Sequence, residues 1–328
     1  MTPNGKFKTG MNVLKKKGMK ALFALKGKIG PGINLSIPIQ LSLFDKLIIP
    51  ILTYGSDVWG DECQYNSAVE DVHTNFCRFI LKIPKHTPKM AIYSELGRYP
   101  IDTFVQRQLI KYYNRVVNCK NPLLKEALIV NKNIRSNWYT KIESLLTKME
   151  ESCILNSPEI CTDSKLSILK CKLCNIFKSK WKEDIFCDTK NKKGNGNKLR
   201  TYRVFKKDIS FENYLIEIKN PQLRETLTKF RLSNHKLEIE IGRHSKTPIN
   251  ERICKKCPNN HIEDEIHFLF NCEYYESERN ILYNTVHSVY PTFQLLSQNS
   301  QLEFIMNNKK LYIPLAIYIN KCLQLREQ

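Results

Sequence analysis

The chain has 328 residues, 42% of them hydrophobic, which excludes wholesale disorder and leaves room for two or three domains. Lysine and arginine total 52 against 32 acids, a formal net charge of +20. That surplus favours a polyanionic partner, with nucleic acid ahead of an anionic membrane surface. No apolar stretch reaches membrane-spanning length, since "LFDKLIIPILTYG" is interrupted by Asp45, Lys46 and Pro50, and "LYIPLAIYI" has only nine residues.

Residues 1 to 30 hold eight lysines and no acid. Met11, Leu14, Gly18, Ala21, Leu22 and Leu25 follow a helical spacing, which predicts a helix with one apolar face and the rest basic. The stretch lacks arginine and is almost free of serine, unlike a mitochondrial presequence. The chain is expected to turn at "GPGIN". A long helix should follow through residue 60, kinked or restarted at Pro50. Residues 66 to 83 place Val69, Val72, Phe76, Phe79, Ile80 and Ile83 on one helical side, and "PKHTP" ends the pattern. A short helix then runs to Gly97, which suits a C-cap, and "YPIDTFVQRQLIKYYNRVV" opens another with a proline near its start. The pattern stays helical to residue 190, "NKKGNGNK" reads as a linker, and a smaller, more irregular unit follows. There is no internal repeat and no convincing run of strands, so the fold is expected to be mainly α.

The twelve cysteines are scattered, and no secretory signal precedes them. A reducing setting, nuclear or cytoplasmic, is therefore expected, where clustered cysteines bind metal more often than they form disulfides. One cluster stands out in "CKKCPNNHIEDEIHFLFNC". Cys254 and Cys257 form a C-x2-C pair, His267 follows after nine residues and Cys272 after four more, which completes a donor set for one tetrahedral, structural Zn2+. His267 should lie on a helix with acids in its first turn and Cys272 just past its end, while Ile266, Phe268, Leu269 and Phe270 supply a small core. His261 is a competing ligand, but its use would leave Cys272 without a role. A second C-x2-C, Cys171 and Cys174, has only Cys161 and Cys187 as cysteine neighbours and no histidine nearby. In a helical pattern it reads as packing rather than metal binding.

Residues 189 to 207 carry eight basic side chains and no acid, with Tyr202 and Phe205 interleaved among Lys198, Arg200, Arg203, Lys206 and Lys207. Basic groups can track phosphates while aromatic faces stack on unpaired bases. The same pattern also describes a solvated linker running into a helix with its aromatics buried. Arg243, Lys246, Arg252, Lys255 and Lys256 form a second basic group around the metal cluster, and lysines beside the cysteines are expected to lower their thiol pKa. Catalytic motifs are missing. No two aspartates are adjacent, no phosphate-binding glycine loop or nucleophile elbow occurs, and the tail after Cys272 has five acids but no Asp.

The stretch "PILTYGSDVWG", with Pro50, Leu52, Tyr54, Gly55 and Trp59, resembles the helix just downstream of the polymerase core in non-LTR retrotransposon reverse transcriptases. "VHTNFCRFILKIPKHTPKMAIYSELGRYPI" looks like the segment that follows in those elements. "KFRLSNHKLEIEIGRHSKTPINERICKKC" and "DEIHFLFNC" are similar to their zinc-knuckle end. The resemblance implies a C-terminal, post-palm part of such an enzyme, with RNA or DNA as partner and no membrane. The paired palm aspartates would precede this sequence, so the chain is not expected to polymerise DNA by itself. The implied layout is a helical thumb-like region over 1–120, a helical region over 121–190, a linker over 191–198 and a basic connector over 199–250. A zinc knuckle over 251–275 and a helical tail over 276–328 complete it. The alternative is a helical protein-interaction scaffold with a purely structural zinc site.

Overall fold

A computed structural model describes residues 6–29, 35–134, 138–156, 162–186 and 198–327. The turn expected at "GPGIN", the linker before Lys198, and Cys161 and Cys187 lie outside the described residues. The described chain is mainly helical and holds no strand, only two isolated β-bridges, Leu96 with Phe211 and Ile253 with Ile262. No single described helix is long and apolar enough to cross a membrane, although one bent pair, Ile37–Leu52 with Ser56–Glu62, has the length and composition.

The chain divides into two units, each built from two stretches of the sequence. One takes the described residues of Met1–Phe76 and Tyr99–Lys180, the other those of Cys77–Arg98 and Trp181–Gln328.

In the first unit, helix Lys8–Lys28 buries Met11, Gly18, Leu22 and Leu25 along one face, as the spacing predicts. The next helix, Ile37–Leu47, stops before Pro50, and a single turn, Ile49–Leu52, restarts after Ile48. Gly55 then adopts φ +67°, a left-handed turn that glycine enters without a Cβ penalty, and the Trp59 indole N–H closes it by donating to the Tyr54 carbonyl at 2.8 Å. Helix Ile101–Val117 opens at Pro100, whose side chain has no oxygen to cap it. The buried Glu70 carboxylate supplies one, accepting from the Ile101 N–H at 2.7 Å while its other oxygen meets His73 Nδ1 at 3.0 Å. Ile110, Tyr113, Ile142, Leu146, Leu169 and Leu173, from helices Ile101–Val117, Trp138–Lys148 and Asp163–Phe186, form one apolar cluster of this unit. Cys171 on the last of these helices is exposed, so it does not pack as its apolar neighbours suggest, and Cys174 is half-buried.

In the second unit, helix Lys89–Glu95 ends as its sequence indicates. Gly97 sits at φ +59°, its N–H returns to Ser94 O at 3.3 Å, and the Arg98 N–H returns to Tyr93 O at 2.8 Å. A Cβ at Gly97 would lie 2.5 Å from the Phe211 amide nitrogen, so the bridge to Phe211 also requires glycine. Glu95, the last residue of that helix, reaches the centre of the unit. There the fully buried Arg231 donates Nε to Glu95 at 3.0 Å, Nη2 to Glu212 at 2.7 Å and Nη1 to the Met306 carbonyl at 2.9 Å. Its guanidinium lies 4.5 Å from the Phe205 ring centroid and 4.9 Å from that of Tyr214. Lys206 also pairs with Glu212, so two cations meet two carboxylates out of water. Burial opposes the charge on Arg231, but Glu95 and Glu212 outweigh it and hold the group charged.

Gly97→Ala should cost about 1–3 kcal/mol in urea unfolding, whereas Gly10→Ala, where a Cβ meets nothing within 4 Å, should be neutral or stabilise by roughly 0.5 kcal/mol. Equal effects at both sites would contradict the cap. Arg231→Leu removes the counter-charge of two interior carboxylates and should cost about 3–5 kcal/mol, read by the same unfolding curves.

Candidate metal centre

Cys254 and Cys257 lie at the head of a small hairpin. Glu263 N–H donates to Arg252 O at 2.9 Å and Cys254 N–H to His261 O at 2.8 Å, on either side of the Ile253–Ile262 bridge. The turn lets backbone amides face sulfur: those of Lys256 and Cys257 serve Cys254, and that of Asn259 serves Cys257. The Tyr274 amide does the same for Cys272. Each such bond favours the thiolate. Amides therefore do what the neighbouring lysines were expected to do. Lys255 instead pairs with Glu238 at 3.0 Å, and Lys256 lies over the Tyr274 ring.

His267 begins a π-helical turn, His267–Asn271, whose five-residue register brings the Cys272 N–H to His267 O at 2.8 Å. A wide turn of this kind often marks a functional position. Here it sets Cys272 directly after the turn that carries His267. The acids before it do more than complement a dipole. Asp264 caps the turn by accepting from the His267 N–H at 2.8 Å. Glu263 is buried and accepts from Arg326 at 2.6 Å, while the buried Glu265 takes Arg200 at 2.5 Å, His235 at 2.9 Å and the Ser233 hydroxyl at 3.1 Å. Phe268, Leu269 and Phe270 are buried as expected, and Ile266 is half-buried. The Tyr318 hydroxyl donates to Phe268 O at 2.9 Å, tying helix Tyr312–Glu327 to this turn.

The donor atoms of Cys254, Cys257, His267 and Cys272 all lie within 4.8 Å of one another, and all four residues are buried. Cys254 Sγ is 3.9 Å from Cys272 Sγ, and Cys257 Sγ is 3.5 Å from His267 Nε2. A tetrahedron with metal–sulfur bonds of about 2.3 Å and metal–nitrogen bonds of about 2.0 Å has edges of about 3.8 Å and about 3.5 Å. Two of the six separations match these edges, and the quartet could hold one metal ion. His261 is exposed, its ring 5.7 Å from that of His267, and it stays outside the quartet. The hydrogen bond from Cys272 holds Cys254 down at about 3, and the same bond pushes Cys272 up. Cys171 and Cys174 join no such group among the described residues.

The ten residues expected to face nucleic acid do not form one surface. Tyr202 is fully buried with its hydroxyl 2.8 Å from Ser94 Oγ, and Phe205 is buried too, so neither ring is placed to stack on a base. Lys206 is buried against Glu212 and Ser210. Arg252 is buried and donates to the Ile239 and Thr247 carbonyls. Arg200 is spent on Glu240 and Glu265, and Arg243 pairs with Glu240 at 2.9 Å. Lys198 is buried with its Nζ on Asn234 Oδ1 at 2.6 Å. Arg203 is half-buried, and Lys207 and Lys255 are exposed. The stretch thus follows the reading in which its aromatics are interior. The physical reason is the density of buried carboxylates here, Glu212, Glu240 and Glu265, which draw basic side chains inward. Arg326 was not foreseen as part of the site, and Glu263 and Asp264 were foreseen only as acids of a first turn. Only Asp264, as an acid three residues ahead of His267, left a local signal.

No protein-family model matches this chain, and neither do the curated proteins or the solved structures.

Alkylation at neutral pH should label the exposed Cys153 and Cys171 first. Cys63 and Cys322, whose burial pushes each thiol up to about 12, should react only after denaturation. Cys254, Cys257 and Cys272 should become reactive when a chelator is added. Peptide mass spectrometry showing those three labelled equally with and without chelator would count against metal binding.

Proposed function

We propose that this chain binds nucleic acid as the C-terminal, post-palm portion of a non-LTR retrotransposon reverse transcriptase, with one structural Zn2+ ordering its knuckle. The observation that supports this best is the buried quartet of Cys254, Cys257, His267 and Cys272, two of whose donor separations match the edges of a single tetrahedron. Three soft thiolates and an imidazole select zinc over magnesium or calcium. A closed set of four protein donors gives the ion a structural role. The net charge of +20 supports attraction to phosphates, and the resemblance of "PILTYGSDVWG" and of the cysteine segment supports the family. This reading assigns no polymerase chemistry to the chain itself. RNA or DNA is held for a catalytic part elsewhere.

A second reading, a helical interaction scaffold stapled by zinc, draws support from the inward pairing of Lys198, Arg200, Lys206 and Arg252. Both readings expect metal, but only the first expects nucleic acid to be retained. Protein purified without chelator should hold one zinc per chain by elemental analysis. Filter binding to single-stranded RNA should weaken steeply as salt rises, because released counterions drive it. Zinc without salt-sensitive RNA retention would favour the scaffold, and absence of zinc would sink the knuckle. Substituting Arg200 is a poor probe of binding, since its loss leaves Glu240 and Glu265 buried without their partner.

A further inference from the structure

We propose that His86, Arg243 and His244, backed by the buried Lys198, form a phosphate-binding site on the second unit, which takes a backbone phosphate of the bound nucleic acid. The identity of the phosphate's carrier rests on the functional reading above. The site itself rests on geometry.

Three separate stretches supply it. His86 comes from the loop after helix Ala68–Leu81, Lys198 from the start of the basic stretch, and Arg243 and His244 from the last turn of helix Glu238–Ser245. The His86 and His244 rings meet edge to face with centroids 5.7 Å apart, and both residues are exposed. Arg243 Nη2 lies 3.3 Å from His244 Nε2. The negative end of the helix favours cations at this turn.

Behind these residues the donors outnumber the acceptors. Lys198 Nζ donates to Asn234 Oδ1 at 2.6 Å, and the Thr87 hydroxyl donates to the same oxygen at 3.1 Å. Two donors on one oxygen fix the orientation of the amide. Its Nδ2 therefore faces the other way, buried and with no acceptor among the described residues. Lys198 has only this amide oxygen as a hydrogen-bond acceptor among the described residues, and no carboxylate within ion-pair distance. Glu240 is the acid that acts on both Lys198 and His86, and it is already shared by Arg200 and Arg243.

The electrostatics agree. Burial pulls Lys198 down to about 8; Glu240 opposes this and Arg243 adds to it. Burial also lowers His86, and Lys198, His244 and Arg243 lower it further. The cationic neighbours disfavour the charged form of His86, and a tetrahedral oxyanion would reverse that effect while accepting from several of these groups at once. The lysines of helix Lys8–Lys28 offer no comparable convergence. Its exposed Lys16, Lys17 and Lys20 come from one helix, with no second element shown beside them, and Lys15 is paired with Asp71.

The test uses the full zinc-loaded chain, wild type and H86A/H244A. Both imidazoles are exposed, so an unchanged thermal midpoint should confirm that the double variant folds. In wild type, inorganic phosphate should shift the NMR resonances of His86 and His244. The double variant should bind single-stranded RNA about tenfold more weakly, with the slope of log affinity against log salt reduced by about one. RNA affinity and slope unchanged in the variant, with no imidazole shift on adding phosphate, would overturn the site while leaving the functional reading standing. Imidazole shifts with phosphate but no RNA binding would uphold the site and defeat the functional reading. Retention on phosphatidic acid vesicles, lost in the double variant and without RNA binding, would overturn the assignment to nucleic acid.

Discussion

The second unit is organised around a guanidinium that water does not reach. Arg231 binds the end of one helix through Glu95, a connecting segment through Glu212 and a third element through the Met306 carbonyl, and the Phe205 and Tyr214 rings lie against it. The planar fork suits this task, because it offers several donors in fixed directions and is weakly hydrated, whereas a lysine would satisfy only one partner well. Charges so placed contribute little net stability over a well-packed apolar core. Their effect is positional. Removing any one partner strands another, so few alternative packings compete.

The same logic is repeated beside the cysteine–histidine quartet. Glu263 and Glu265 flank the capping Asp264, yet each is neutralised by an arginine far along the chain, Arg326 and Arg200. These pairs orient the hairpin and the π-helical turn that present Cys254, Cys257, His267 and Cys272. Glu263 also lies 3.8 Å from the Cys254 sulfur, which links the C-terminal helix to a ligand through Arg326. The ligands are local in sequence, while the groups that aim them are not.

That contrast explains what could be read from the residues alone. The helix end at Gly97, the break at Pro50 and the buried face of helix Lys8–Lys28 follow from local sterics and periodicity, and all three hold. The quartet was legible because C-x2-C, a histidine and a further cysteine fall within nineteen residues. The fate of the basic stretch was not, because the acceptors of Lys198 and Arg200 lie 36 to 65 residues away. Charge spacing records how many cations there are, not which carboxylate or amide will claim them. The π-helical register was equally hidden, since "EIHFLFNC" carries no residue that demands a wide turn.

The interleaved division of the chain has a consequence for its synthesis. Residues 77–98 belong with a unit whose remainder begins at Trp181. Glu95 therefore leaves the ribosome 136 residues before Arg231. At translation rates of about 5–20 residues per second, that gap is on the order of ten seconds. Through that interval an acidic helix end and its apolar neighbours are without their native partner. Nascent chains would expose a sticky, half-built interior, which makes a chaperone or a slow-codon pause during this window more valuable than in a protein whose domains emerge in order.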